Sequence, residues 1–299
     1  MITTTTAAAA SGQKVRRFRR IHIKPSRVVL YLFIITMVCF TALPLWYMIV
    51  QAFKPLEEIF AYPPRFYVKN PTFSNFTELL TAINSSAVPF TRYFFNSLLV
   101  TVASTTLSIF VCSLATFAMT KMKLPFKNGI FNFIVAAMAF SAPASQVTTY
   151  LIVNGMGMMN TYWALIIPKV ATAMYFFLMK QNMETIPDAL IESARLDGCS
   201  NFGIYRKIVM PLSGPVLATV VVFAFVASWN DYYSPLIYIN TDVLKTLPLA
   251  LNMLQGGAGQ VARAGAMAAA TMLTTLPTII VFVACQSKVV KTMAHSGIK

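Results

Sequence analysis

The sequence has few charged residues. Asp, Glu, Lys and Arg make up 11% of the 299 residues, whereas soluble domains carry about 25%. Hydrophobic residues make up 57%, and the mean hydropathy is +0.65. These values exclude a soluble globular domain and indicate an integral protein of the lipid bilayer. The net charge of +15 does not indicate nucleic-acid binding, because the basic residues flank apolar segments instead of clustering on a polar domain.

Residues that hold metals, cofactors or nucleotides are also scarce. The chain has four cysteines and two histidines, and their spacing fits neither a metal site nor a disulfide framework. No G-x-x-x-x-G-K-[ST] sequence occurs, so the chain has no nucleotide loop with which to hydrolyse ATP. We therefore expect no catalytic residue, no metal site and no cofactor in this chain.

Six apolar segments are long enough to cross a hydrocarbon core, which needs about 20 residues of helix. They are predicted at Val28–Val50, Tyr93–Ala118, Gly129–Leu151, Trp163–Met179, Leu212–Asn230 and Ala264–Cys285. All six are predicted as helices, because lipid offers no water to satisfy an open strand edge. The second is rich in Ser and Thr and the sixth in Ala, so both are predicted to pack in the interior of the bundle.

Carboxylates are absent from the depths of these segments. An ion-coupled carrier usually needs them, together with internal repeats that this sequence lacks. A channel would need a filter-like sequence or an acidic ring, and neither is present. The carrier nevertheless remains the alternative class of transporter.

The lysines and arginines predict the orientation of the chain. Seven precede the first segment, and others cluster after the second, fourth and sixth. The positive-inside rule places these regions and both termini in the cytoplasm. The first segment has 23 uncharged residues, whereas a signal peptide has an apolar core of about 7–15. We therefore expect an uncleaved span.

The predicted domain organisation follows from these segments. A basic, partly disordered cytoplasmic tail covers residues 1–27, and a six-helix membrane domain covers residues 28–285. A cytoplasmic tail follows at 286–299. Trp46, Trp163 and Trp229 each fall near a predicted outer boundary and are interpreted as interfacial anchors.

A polar loop at 184–211, within the membrane domain, separates the fourth and fifth segments. It holds four of the nine carboxylates: Glu184, Asp188, Glu192 and Asp197. Thr185 is predicted to cap a helix over 188–196, with Pro187 in its first turn. Gly198 is predicted to end that helix in the left-handed conformation, and Ser200 to cap a second helix over 201–210.

The first loop helix is predicted to be amphipathic. An apolar stripe of Leu190, Ile191 and Ala194 opposes Asp188, Glu192 and Arg195, which are expected to stay in water. Such a helix either docks in a groove of a partner protein or lies at the membrane interface to stabilise the bundle. Amphipathicity does not choose between the two.

The loop sequence ESARLDGCSNFGIYRKIVMPLSGP resembles the "EAA" loop of ABC-importer permeases, written E-A-A-x-x-x-G and followed by I-x-L-P. The matching positions are Glu192, Ala194, Asp197, Gly198, Ile208 and Pro211. Small changes occur at Ser193, Cys199 and Met210. The resemblance implies that a separate ATPase docks on this loop, through Glu192, Ser193, Ala194, Asp197, Gly198, Ile208 and Pro211.

The resemblance extends from about Leu43 to Val289. Within it the sequence is similar to the carbohydrate (maltose-type, binding-protein-dependent) branch of these permeases, notably in TRYFFNSLLV and FVASWNDYYSPLIYI. It implies an all-α fold of the type I ABC importer permease, with a cytoplasmic coupling-helix loop. It also implies import of a sugar or oligosaccharide across the inner membrane of a prokaryote. The alternative solutes are a glycerol-phosphodiester and an amino sugar.

The same resemblance implies several partners: a second homologous permease, an ABC ATPase dimer that binds ATP and magnesium, and an extracytoplasmic sugar-binding protein. Gln255–Gln260 (QGGAGQ) occupies the place of a loop that touches the binding protein in this family, although a plain linker is equally compatible. Two departures stand out: APASQVTTYLI lacks the family's second proline, and the chain finishes with a shorter MAHSGIK.

Four residues are candidates for the substrate pathway: Asn96, Lys169, Asn230 and Asp231. Lys169 follows Pro168 inside the fourth segment, and a cation within the membrane is a functional-site hypothesis. It lies near the outer end, so snorkelling or a structural contact is the competing interpretation. Asp231 is interpreted as a boundary or gate residue, with direct sugar contact as the alternative.

Overall fold

The computed structural model describes residues 25–84, 88–139, 142–255 and 263–296. Most of the basic tail and all but the first residue of the Gln255–Gln260 segment therefore lie outside the described residues. Backbone contacts divide the chain into two units, residues 1–46 and residues 47–299, and each is described by itself.

Every regular element among the described residues is a helix, in agreement with the all-α prediction. The α-helices are α1 Pro25–Phe53, α2 Leu56–Ile59, α3 Ser74–Asn84, α4 Phe90–Lys121, α5 Lys127–Ala137, α6 Ala142–Gly155, α7 Tyr162–Val170, α8 Ala173–Glu184, α9 Asp188–Leu196, α10 Asn201–Ile204, α11 Met210–Leu212, α12 Gly214–Trp229, α13 Tyr233–Tyr238, α14 Leu247–Gln255 and α15 Ala264–Ser296. A π-helical segment, Tyr205–Val209, joins α10 to α11, and a 3₁₀ turn, Asp242–Leu244, precedes α14.

Among the residues that the structure describes, four stretches of helix are long and apolar enough to cross a membrane: Ser26–Phe53, Phe90–Lys121, Tyr162–Glu184 and Ala264–Val289. A fifth is reached if Asn201–Leu212 and Gly214–Trp229, which are bent by 80°, count as one broken span. The predicted third span, Gly129–Leu151, falls on the two shorter helices α5 and α6. The count of six therefore remains a prediction.

The helix α4 lies in the interior of residues 47–299, where α7, α8 and α12 pack around it. Half of its fourteen buried residues are serine or threonine: Ser97, Thr101, Ser104, Thr105, Ser108, Ser113 and Thr116. Small side chains let helix backbones approach closely in lipid, and the interior position predicted from them is confirmed for α4. In α15 it holds only near the start, where Ala266, Ala269 and Ala270 are buried.

The first turns of α4 hold the segment that follows α13. The Asn96 amide donates to the carbonyls of Val243 and Lys245, both at 2.8 Å. The Tyr162 hydroxyl donates to the Asn96 carbonyl oxygen at 2.7 Å. The Ser97 hydroxyl accepts from the backbone N–H of Leu247 at 2.8 Å, at the first residue of α14. Two adjacent polar side chains thus hold the segment between α13 and α14.

The interpretation of Trp229 as an interfacial anchor is wrong. Its side chain is 1% exposed, and the indole N–H donates to the carbonyl of Thr274 on α15 at 2.9 Å. It stacks on Phe225 with 5.8 Å between ring centroids. A buried indole needs such an acceptor, and α15 supplies it. Trp163 is more than half exposed, as an anchor would be.

Candidate functional site

The loop at 184–211 is folded onto the ends of α4 and α8 by an apolar cluster. Its fully buried members are Phe117, Met183, Ile186, Ile191, Ala194, Ile204, Tyr205 and Val209. Ile191 and Ala194 form the inner face of α9, as predicted. The Tyr205 hydroxyl lies 2.7 Å from the Ser113 hydroxyl of α4, which gives the buried phenol a hydrogen-bond partner. The loop is therefore packed as an integral part of the helix bundle.

The helix α9 ends at Gly198 as predicted. This residue has φ +77, the left-handed region that favours glycine. The N–H of Cys199 donates to the carbonyl of Ala194 at 2.9 Å, and the N–H of Gly198 to that of Arg195 at 3.0 Å. This pair of bonds is the Schellman motif, which satisfies carbonyls that the helix leaves unpaired. Ser200 caps α10 by accepting from the N–H of Gly203 at 3.2 Å, which confirms the second cap.

Two details of the α9 prediction are wrong. Thr185 does not cap α9, because its hydroxyl donates to the carbonyl of Asn182 at 2.7 Å and its backbone still follows α8. The residue before α9 is Pro187, whose side chain makes no cap. Leu190 does not join the buried stripe but is 46% exposed. The buried face of α9 is narrower than periodicity indicated.

Lys121, the last residue of α4, holds the start of α9. Its ammonium group donates to the carbonyl of Ile186 at 2.6 Å and pairs with the Asp188 carboxylate at 2.7 Å. The Lys121 side chain is 3% exposed and that of Asp188 is 76% exposed. The hydrogen bond and charge of Lys121 keep the pKa of the Asp188 carboxyl below its ordinary value. The carboxylate therefore stays ionised at neutral pH.

Arg195, near the other end of α9, also binds Lys121. Its guanidinium donates to the backbone carbonyl of Lys121 at 3.0 Å. This carbonyl is one of those that the last turn of α4 cannot pair internally. Arg195 was expected to stay in water, and although the residue is exposed, its charged group is engaged.

The predicted second loop helix is interrupted by a π turn. The N–H of Met210 donates to the carbonyl of Tyr205, five residues back. Pro211, the next residue, has no N–H to offer, which favours a shift in register at this point. After α11 the chain bends by 80° into α12. The loop therefore enters α12 through a sharp and defined corner.

The face of the loop that points away from α4 carries both charge and apolar surface. Glu192, Ser193, Asp197 and Gly198 are exposed, whereas Ala194 is buried and Ile208 is half-buried. Pro211 is exposed at the corner. Leu196 is 89% exposed and Phe202 is 60% exposed. Two large apolar side chains among acidic ones are typical of a surface that a partner covers.

A second polar region lies where the fourth predicted span is broken between α7 and α8. Ala171 leaves the helical conformation, and the carbonyls before it lose their partners. Ser108 of α4 donates to the carbonyl of Lys169 at 2.9 Å, and the Cys112 thiol to that of Val170 at 3.6 Å. Thr172 donates to the Lys169 carbonyl as well, at 3.1 Å. The break is therefore satisfied by neighbouring side chains.

The structure brings Lys169 and Asp231 together. Their charged groups are 2.7 Å apart, with side chains 23% and 14% exposed. Asp231 also accepts from the N–H of Ser234 at 3.0 Å. The pair joins the end of α7 to the end of α12, a contact that no local pattern of residues predicts.

Lys169 lines two cavities. One has a volume of about 210 Å³ and is lined by Ser104, Ser108, Lys169, Thr172, Tyr175, Ala224, Ala227 and Ser228. The other has a volume of about 270 Å³ and is lined by Ser145, Gln146, Thr149, Ala164, Leu165, Pro168, Lys169, Ser234 and Tyr238. The Ser228 hydroxyl is buried without a hydrogen-bond partner in the protein. Hydroxyl groups and Lys169 line both cavities among apolar side chains, and Gln146 adds an amide to the second.

Asn96 and Asn230 have different surroundings. Asn96 is fully buried, and its amide is engaged with Val243, Lys245 and Tyr162. Its role in the structure is to hold the segment between α13 and α14. Asn230 is exposed, and its amide donates to the carbonyl of Val226 at 3.1 Å.

Sequence reasoning missed Lys121 and Tyr205, the residues that fix the loop to α4. Lys121 entered only as one of several basic residues on the cytoplasmic side. No local pattern indicates its partners, because Asp188 lies 67 residues further along the chain. Among the described residues, no group of three or more His, Cys, Asp or Glu side chains is placed to hold a metal ion.

The comparisons with known proteins agree with one another. Residues 105–294 match the family described as "Binding-protein-dependent transport system inner membrane component". The polygalacturonan/rhamnogalacturonan transport system permease protein YtcP of Bacillus subtilis is 30% identical over 227 residues, which cover 76% of this chain and 77% of that protein. The sn-glycerol-3-phosphate transport system permease protein UgpE of Agrobacterium fabrum is 27% identical, covering 77% and 82%.

A solved structure has the same fold. The crystal structure of a bacterial ABC transporter involved in the import of the acidic polysaccharide alginate includes a chain that matches with a TM-score of 0.75. The match has 19% sequence identity and covers 88% of this chain and 95% of that one. With the family match over 105–294 and the 30% identity to a curated permease, this chain belongs to the family of binding-protein-dependent transport system inner membrane components.

Proposed function

We propose that this chain is the permease subunit of an ATP-driven ABC importer for a sugar or oligosaccharide, coupled to a separate ATPase through the loop at 184–211. Membership of the family makes it a transport subunit of the inner membrane and not an enzyme, and the family carries no cofactor of its own. The observation that carries the coupling role is the anchored loop with its exposed Leu196 and Phe202 beside Glu192 and Asp197.

The proposed ATPase contact consists of Glu192, Ser193, Ala194, Asp197, Gly198, Ile208 and Pro211. Four of these, Glu192, Ser193, Asp197 and Gly198, lie on the exposed surface of α9 and its turn. Ala194 and Ile208 support that surface from the apolar cluster, and Pro211 lies at the corner into α12. ATP and magnesium bind to the partner ATPase dimer.

The proposed partners are a second homologous permease, the ATPase dimer and an extracytoplasmic sugar-binding protein. The family description names dependence on a binding protein. Two relatives named for polysaccharide and glycerol-phosphate transport support a polyhydroxylated solute. Both chain ends and the loop are proposed to face the cytoplasm, and a sixth span over Gly129–Leu151 is retained in this proposal.

The proposed substrate pathway passes the Lys169–Asp231 pair. The hydroxyl-lined cavities beside it offer hydrogen-bond acceptors and an unpartnered Ser228, which suit a neutral polyhydroxylated solute. Because Asp231 neutralises Lys169, the pair offers no net positive charge. A phosphate- or carboxylate-bearing solute is the second candidate, and the Lys169 ammonium is the observation that favours it. The Asn96 amide holds the carbonyls of Val243 and Lys245, which supports a structural role for this residue. Asn96 and the exposed Asn230 both stay candidates for the edge of the proposed pathway.

The first prediction concerns assembly. Reconstituted alone, the chain is expected to show neither ATP hydrolysis nor uphill uptake of any sugar. Reconstituted with a second permease, two ATPase subunits and the binding protein encoded with it, it is expected to hydrolyse ATP faster when the binding protein is loaded. Uphill uptake by the purified single chain would instead support the ion-coupled carrier.

The second prediction concerns the turn after α9. Gly198→Val is expected to abolish uptake, and Gly198→Ala to weaken it, because a left-handed conformation costs a residue with a Cβ about 1–2 kcal/mol. Nothing lies within 4 Å of a Cβ placed at Gly198, so the effect arises from the backbone and not from a clash. Gly198→Asn should retain more activity, since Asn tolerates this conformation.

The matched control is Gly129→Ala, at a helical position that also has no neighbour within 4 Å of its Cβ. It should transport normally. Glu192→Lys should lose ATPase subunits on co-purification while the chain remains in the membrane. Normal uptake by Gly198→Val and Glu192→Lys at normal expression would refute the docking role.

The third prediction concerns orientation. With Cys39, Cys112 and Cys285 replaced by serine, Cys199 should react with a membrane-impermeant thiol reagent only after the cells are opened. An added Asn70→Cys, in the segment proposed to be external, should react in sealed cells. The reverse pattern would overturn the orientation.

The fourth prediction concerns the pathway. Lys169→Gln and Asp231→Asn are each expected to lower uptake about tenfold, in the range of coupling energies for contacting residues. Asp231→Asn should also improve competition by galacturonate or glycerol-3-phosphate, because it leaves Lys169 unneutralised. Asp242→Asn is the control, since it removes a 2.6 Å ion pair to Lys245 that lies outside both cavities. If uptake by Lys169→Gln and Asp231→Asn equalled that of the parent and of Asp242→Asn, the Lys169–Asp231 pair would have no role in the pathway.

A further inference from the structure

The contacts between α4 and α9 form a reciprocal clasp. Lys121 donates from its side chain to Ile186 and Asp188, at the beginning of α9. Arg195, in the last turn of α9, donates to the backbone carbonyl of the same Lys121. One residue of α4 is therefore tied to both ends of the loop helix.

The charge of Lys121 requires that the contacts between α4 and the loop stay in place. A lysine that is 3% exposed must have its charge compensated, because an unpaired charge in such a position is costly. Here the compensation comes only from the loop: one carbonyl and one carboxylate, at 2.6 and 2.7 Å. If α9 moved away from α4, the Lys121 ammonium would lose both partners at once. The favourable response is for α4 to move with α9.

The inner end of α4 is joined to the loop by ring contacts as well. Phe117, one turn before Lys121, lies 5.6 Å from Tyr205 between ring centroids. Apolar contacts of this kind tolerate sliding, whereas a charge-assisted pair fixes direction and distance. The clasp therefore supplies what the apolar cluster lacks, a defined orientation of α9 on α4.

We propose that Lys121 is a positioning residue for coupling, which makes α9 and α4 move as one body when the partner ATPase moves the loop. This inference rests on the proposed coupling role of the loop. It adds that α4 is the helix to which the movement of α9 is transmitted. Since α4 also carries Ser104 and Ser108 in the wall of the Lys169 cavity, the motion would reach the substrate pathway along one helix.

The chain offers a matched control in Lys180 and Glu184. This pair is 2.6 Å long, with the lysine side chain 14% and the carboxylate side chain 48% exposed, but both residues belong to α8. Removing it severs no connection between helices. Glu184→Gln is therefore the control for Asp188→Asn and Lys121→Gln, and Lys121→Arg is the conservative variant.

The first measurement is hydrogen–deuterium exchange of the full chain in detergent. Lys121→Gln should speed exchange of the α9 amides about tenfold or more, as expected for the loss of a hydrogen bond to a charged group. Asp188→Asn, which keeps the hydrogen bond from Lys121 to the Ile186 carbonyl, should give a smaller increase in exchange. It replaces Lys121→Gln as the test variant if Lys121→Gln fails to fold. Lys121→Arg should restore protection, and Glu184→Gln should leave it unchanged. Unchanged exchange in both clasp variants would overturn the proposal.

The second measurement tests the motion in the assembled transporter. Ser104→Cys is introduced with the native cysteines replaced, and its reaction rate with a maleimide is compared without nucleotide and after trapping with ADP and vanadate. The rate should change severalfold in the parent, in Lys121→Arg and in Glu184→Gln, but less than twofold in Lys121→Gln. A role in folding alone would lower the amount of transporter without removing the nucleotide response.

A full nucleotide response in Lys121→Gln would show that α4 does not depend on the clasp, and would refute the inference. A parent transporter that shows no nucleotide response, with the ATPase bound, would instead count against the proposed function itself. The exchange measurement would then still decide whether Lys121 holds α9.

Discussion

Backbone groups that a bilayer cannot hydrate must find partners within the protein, and α4 provides such partners at three separate helix ends. Near the start of α4, Asn96 binds the carbonyls of Val243 and Lys245. In its middle, Ser108 and Cys112 bind the carbonyls released where α7 stops. At its last residue, Lys121 binds the carbonyl of Ile186. The polar face of α4 is thus what permits the helices around it to be interrupted.

Buried lysines follow the same rule. Lys54 is 1% exposed, and its ammonium donates to the carbonyl of Arg65 at 2.5 Å. Lys121 and Lys169 are each paired with an aspartate at 2.7 Å. A shielded charge contributes little to net stability but fixes which groups must stay together, because breaking the pair is far more costly than forming it is favourable. In a protein that has to move, such pairs define which parts move jointly.

Sequence reasoning predicted what depends on neighbouring residues. The helical class, the interior position of α4, the stop at Gly198 and the cap at Ser200 follow from composition, periodicity and backbone chemistry within a few positions. The errors lie where a distant partner decides. Thr185 bonds back into α8, Trp229 is buried because Thr274 accepts from it, and Leu190 is exposed because α4 covers only a narrow face of α9. The pairing of Lys121 with Asp188 and of Lys169 with Asp231 cannot be predicted from one sequence, since nothing local links residues so far apart.

The two faces of α9 show how the loop is divided between structure and function. The inner face is fully engaged, through Ile191 and Ala194 in the apolar cluster and through the clasp at both ends. On the exposed side of the loop, Leu196 of α9 and Phe202 of α10 are in contact with solvent, as are Glu192 and Asp197. Exposed leucine and phenylalanine add nothing to the stability of an isolated chain, and they favour association. Attachment to α4 on one side, and exposed apolar and acidic side chains on the other, are what the proposed docking of an ATPase on this loop requires.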